Sequence, residues 1–160
     1  MRSFLIKFFI GLAFVFAQLL LCKFIAYNYF TPNLMIVFYG FLAYFPLGLS
    51  NLYAIFTVGI IADLTNGLNI LGPSAAAGVI VYLSLSFVVR ALLSDHFIAL
   101  CLALMFGTAI FNFLYFLILG SEGLNLFNFL PKLTLNALVN GVLGGLALYF
   151  GKHLVGKQSY

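Results

Sequence analysis

The chain has 160 residues, 65% of them hydrophobic and 6% charged, where an ordinary soluble domain carries roughly 25% charged residues. That composition excludes a water-soluble fold and leaves no room for a separate soluble domain once the apolar spans are counted. The net charge of +4 comes from 7 basic and 3 acidic residues scattered over span ends, which sets topology and argues against a nucleic-acid surface. The expectation is an all-α integral membrane protein, residues 1–160 forming one polytopic domain of six transmembrane helices.

The first span runs from about Phe4 to Cys22, enough residues to cross a ~30 Å hydrocarbon core. Arg2 and Lys7 give it the look of a secretory signal, but no small-residue cleavage pattern comes after it, and it reads as a retained span. Gln18 is its only strongly polar interior residue. Tyr27 and Tyr29 sit in the next connection, where aromatic belts form, and Pro32-Asn33 opens the second span. A single helix from Asn33 to Asp63 would be roughly 46 Å long, too long for a bilayer, and Pro46-Leu47-Gly48 supplies the break. The reading is two short spans, 33–45 and 51–66, joined by a tight turn; a partly re-entrant pair is the alternative.

Asn66-Gly67 has the composition of a helix end, and Gly72-Pro73-Ser74 that of the next start, giving a fourth span over 74–89. A polar turn around Arg90, Asp95 and His96 leads to a fifth span, 97–119. The connection from Gly120 to Pro131 is apolar enough to lie in the interface, and the sixth span covers 133–150. Six spans put both termini on one side. Arg2, Lys7, Arg90, Lys152 and Lys157 fall there against Lys23 and Lys132 on the other, so the termini are expected in the cytoplasm.

The chemistry-bearing positions are few. Gly59, Asp63 and Gly67 are spaced by four, so on a helix they share one stripe, with a lone carboxylate flanked by two positions that lack side chains. Such a stripe lets a second helix approach closely while the carboxylate finds a hydrogen-bond partner that lipid does not offer. The macrodipole disfavours an acid near a helix C-terminus, and the free amides at the start of the fourth span, around Ser74 to Ala76, are the nearest compensation. Lys23 and Lys132 are the cationic alternatives. Pinning two helices together outweighs a transport role for Asp63, since no second acid lies at depth. In the sixth span Asn136, Asn140 and Gly144 form a second stripe with Gly141 and Gly145 beside it, which reads as packing glue before ligand binding. His96 and His153 are isolated, so no metal site is expected, and no nucleophile–base pair or phosphate loop is present in the sequence. Cys22 and Cys101 read as small apolar residues near opposite ends of the membrane.

Thr31-Pro32-Asn33 opening a span, Gly59-x-x-x-Asp63-x-x-x-Gly67 with Leu71-Gly72, and Val139-Asn140-Gly141-Val142 in a last span ending in basic residues together resemble MreD, the small rod shape-determining membrane proteins of bacteria. The resemblance covers most of the chain. It implies a non-enzymatic, cofactor-free component of the inner membrane that binds MreC, in a wider complex with MreB, RodZ, RodA and a class B penicillin-binding protein, supporting peptidoglycan synthesis and rod shape. It also implies a fold similar to the substrate-binding subunits of energy-coupling-factor transporters. Pro32, Asn33, Gly59, Asp63, Gly67, Gly72, Asn140 and Gly141 fall on the family pattern. A vitamin-capture subunit of such an importer is the rival reading, and a small proton-coupled transporter a weaker third. The modest set of aromatic and polar residues in the outer loops favours the first.

Overall fold

The computed structural model describes residues 2–25, 33–65, 71–91, 97–119 and 126–155. Among them the chain forms six helices and no strand: α1 (Arg2–Ile25), α2 (Leu34–Ala43), α3 (Leu49–Thr65), α4 (Pro73–Ala91), α5 (Phe97–Leu119) and α6 (Leu126–Val155). Each overlays one of the segments expected from the sequence. Pro73–Arg90 and Phe97–Ile118 are long and apolar enough to cross a membrane, and Phe4–Leu20, Leu49–Thr65 and Leu133–Tyr149 are shorter apolar stretches.

α2 is the hub. It packs against α1, α4, α5 and α6, and the outer helices contact one another around it, α1 with α3, α3 with α4, α4 with α5 and α5 with α6. Its sequence, Leu-Met-Ile-Val-Phe-Tyr-Gly-Phe-Leu-Ala, is apolar on every side, the pattern of a helix with no solvent face. Met35 to Gly40, Leu42 and Ala43 are accordingly buried. The ten residues of α2 make a helix about 15 Å long, half the thickness of a ~30 Å hydrocarbon layer. The helix ends before Pro46, which disfavours a helical backbone at Phe45, and α3 begins where the Gly48 carbonyl accepts from the amides of Asn51 and Leu52.

The bundle distributes polarity in the opposite sense to a soluble protein. Phe87 is 75% exposed and Leu49 and Ile98 are 70% exposed, whereas Asn51, Asp63, Ser74, Ser86, Thr108 and Asn140 are buried. An apolar exterior over a partly polar interior is compatible with a helical membrane protein.

α6 differs from the expected sixth segment. It begins at Leu126 and runs for 30 residues, so the stretch 126–131, expected as an interfacial connection, forms one continuous helix with the residues of the sixth span. Pro131 lies inside it and removes one backbone bond, the one its missing amide would have made to the carbonyl of Phe127. The Thr134 hydroxyl donates to the Pro131 carbonyl at 2.9 Å.

Glycines set the closest helix approaches. A Cβ on Gly59 would sit 2.5 Å from the Ala75 Cα, so α3 and α4 touch backbone to backbone. On α6, Gly145 faces the Cys101 sulfur of α5, Gly141 faces Met105 and the Cys101 carbonyl, and Gly144 faces Leu104 and Val37. Gly59 of the first stripe and Gly144 of the second, with Gly141 and Gly145 beside it, thus stand at close helix contacts.

Candidate functional site

Three groups of buried polar atoms tie the helices together. The first surrounds Asp63, which is fully buried near the end of α3. Its Oδ2 accepts from the Gly72 amide at 2.9 Å, and both carboxylate oxygens accept from the Ser74 amide at 3.2 Å. Asp63 therefore caps α4, its negative charge meeting the positive end of that helix dipole. The expected partner, the start of α4, is the one found, although the amide of Ala76 instead donates to the Gly72 carbonyl at 2.8 Å. Gly72 has φ +116, a left-handed backbone that places its amide on the carboxylate and that a side chain would strain. The side chains of Lys23 and Lys132, the cationic alternatives, lie outside the described residues.

The second group holds the start of α2. Asn33 is the N-cap, its side chain accepting from the Met35 amide at 3.1 Å. The Asn33 amide itself donates to Asn140 Oδ1 of α6 at 2.9 Å, and the Leu34 amide donates to Gln18 Oε1 of α1. The Ile36 amide returns to the Asn33 carbonyl at 3.2 Å. All four amides at this helix start thus have acceptors, two of them from distant helices.

Asn33 and Asp63, expected toward the same face of the membrane, serve two different helix starts, α2 and α4. Gly141 lies against α5 and not in either polar group. Pro32 and Gly67, the remaining two positions singled out in the sequence, lie outside the described residues.

The third group was not anticipated. Lys7, read from sequence as a topology-setting charge, reaches inward from α1 to donate to Ser50 Oγ at 3.1 Å and to Asn51 Oδ1, with its ammonium 5.5 Å from the centre of the Phe45 ring. Asn51, also fully buried, donates onward to the Pro46 carbonyl at 3.1 Å and to the Tyr82 hydroxyl of α4 at 2.7 Å. These bonds fasten the link between α2 and α3.

The spacing on α1 places one polar side chain at the start of α2 and another at the link after it. Lys7 and Gln18 are eleven residues apart, a rise of about 16 Å, which matches the roughly 15 Å of the ten-residue α2 running antiparallel to it. A short helix inside an apolar layer ends at depth, where its free backbone groups find no water. At the start of α2 Gln18 and Asn140 meet the free amides, while at its end the carbonyls of Phe41 and Leu42 accept from the amides of Tyr44 and Phe45. A lysine one turn into an apolar span and a glutamine three turns later were the available signal, together with Ser50-Asn51 just after the Pro46 break.

Among the described residues no three histidine, cysteine, aspartate or glutamate side chains converge on a common point. Comparison with protein-family models, with curated proteins and with solved structures found no match.

Proposed function

We propose that this protein is a multi-pass membrane scaffold, its six helices lying in the bacterial cytoplasmic membrane with both termini inside, that binds MreC and supports the peptidoglycan synthesis that maintains rod shape. The reading is non-enzymatic: the protein assembles partners and turns over no substrate. Its wider complex comprises MreB, RodZ, RodA and a class B penicillin-binding protein. The resemblance in sequence to MreD is what names these partners.

The observation that carries the scaffold reading is where the buried polar side chains spend their hydrogen bonds. Asp63, Gln18, Asn51, Lys7 and Asn140 each bond another segment of this chain, and the exterior presents apolar side chains suited to lipid or to a partner helix. Helix joints of this kind favour a rigid platform. The Gly59–Ala75 contact and the Asp63 cap together join α3 to α4.

The test is affinity purification of the tagged protein from native membranes in mild detergent, with identification of what accompanies it. Recovery of MreC, with or without RodA and its penicillin-binding partner, is the expected result. Recovery of an energy-coupling membrane subunit with paired ATPases would overturn it in favour of substrate capture.

A further inference from the structure

Two of the buried polar atoms on α6 have no partner among the described residues. Asn140 is 2% exposed, and the Asn33 amide needs an acceptor, which fixes the orientation of the Asn140 carboxamide: Oδ1 faces α2 and Nδ2 is turned away from it. That Nδ2 carries two hydrogens and donates neither to a described residue. One turn earlier on the same stripe, Asn136 Oδ1 is buried with no donor among them. A donor and an acceptor therefore stand one helical turn apart on α6, unmatched by each other or by any described neighbour.

Loose packing does not explain them. Immediately beyond Asn140, Gly141 and Gly145 bring α6 into tight contact with Cys101 and Met105 of α5. Asn140 Oδ1, in turn, meets the start of α2. Buried polar groups in folded proteins almost always find a partner, and a group placed between these two would have to accept from Nδ2 and donate to Oδ1 at once. A hydroxyl does both; an anion offers no donor and an ammonium no acceptor. The carboxamides of Gln18, Asn33, Asn136 and Asn140 are all uncharged and offer an ion no counter-charge.

We propose that the Asn136–Asn140 stripe of α6 is a binding site for the hydroxyl of an uncharged molecule, held between Asn140 Nδ2 and Asn136 Oδ1. The hydroxyl belongs either to an ordered water or to the free alcohol of a neutral lipid. The site does not depend on assembly with MreC and stands or falls separately from it.

The experiment uses the full chain in lipid nanodiscs with dioleoylglycerol as the probe and its 3-O-methyl ether, which lacks the hydroxyl hydrogen, as control. Bound lipid is counted by native mass spectrometry, and contact between water and the Asn140 side-chain amide is read by NMR cross-relaxation in asparagine-labelled wild-type protein. If a lipid alcohol is the occupant, dioleoylglycerol is retained, and both the methyl ether and the Asn136→Leu variant reduce retention by about tenfold, the effect of one lost hydrogen bond. If water is the occupant, no lipid is retained and the Asn140 amide shows cross-relaxation with a long-lived water. Absence of both signals overturns the proposal, as does equal retention of the ether. The wild-type NMR measurement stands even if Asn136→Leu fails to fold.

Discussion

α4 and α2 begin at the same end of the bundle, and both start with amides that the surrounding apolar layer cannot satisfy, yet they obtain their acceptors differently. The start of α4 takes a single charged residue from the helix just before it, with Asp63 nine positions from Gly72 and eleven from Ser74. The start of α2 takes neutral carboxamides from sixteen positions upstream, at Gln18, and 107 positions downstream, at Asn140. The first is a local device that joins two consecutive helices. The second is a tertiary device that brings α1 and α6 together on one short helix. A carboxylate is the stronger acceptor, but its charge must be offset at a single point; two amides share the task without burying a charge.

The contrast can be broken most severely at Gly59. Gly59→Leu drives a side chain into the Ala75 backbone, which cannot rotate away, and should destabilise the α3–α4 pair by about 4 kcal/mol or more, seen as loss of a monodisperse peak in detergent. Asp63→Leu leaves the Gly72 and Ser74 amides buried without an acceptor, a loss of about 3 kcal/mol in detergent-unfolding experiments. Asp63→Asn keeps one carbonyl acceptor and should lose about half of that. If Asp63→Leu melts as the wild type does, the local cap is not what holds this end together.

At α2 the effects should be smaller and divided. Asn140→Leu and Gln18→Leu each remove one acceptor, at about 1–2 kcal/mol apiece in the same unfolding experiment. Combined, they should lose more than the sum if α2 then shifts as a unit, and a double-mutant cycle measures that excess. Smallest is Lys7→Met, about 1 kcal/mol, because the methionine still covers the Phe45 ring while the buried Asn51 Oδ1 loses its donor. A larger loss would make the link after α2 as critical as its start.

Legibility in the sequence divides along the same line. The six helix positions were readable because apolar runs and Pro-Gly breaks are local signals, and so was the α3–α4 joint, since Gly59-x-x-x-Asp63 and the small residues after Pro73 lie close in the chain. Continuation of α6 through 126–131 was missed because Pro131 read as a boundary, while the helix absorbs it at the loss of one bond. The inward turn of Lys7 was missed because a basic residue near a span end has an adequate explanation in topology alone.

Composition, chain breaks and separations of about ten residues were enough to specify an all-helical apolar chain, the position of each helix along it and the short-range capping of α4 by Asp63. Only packing in three dimensions made the shortest helix the hub, brought Gln18 and Asn140 to its start and set Lys7 and Asn51 in the link beyond its end. The first amides of α2 have no partner within their own helix, and which distant side chains arrive to meet them is settled only when the helices pack.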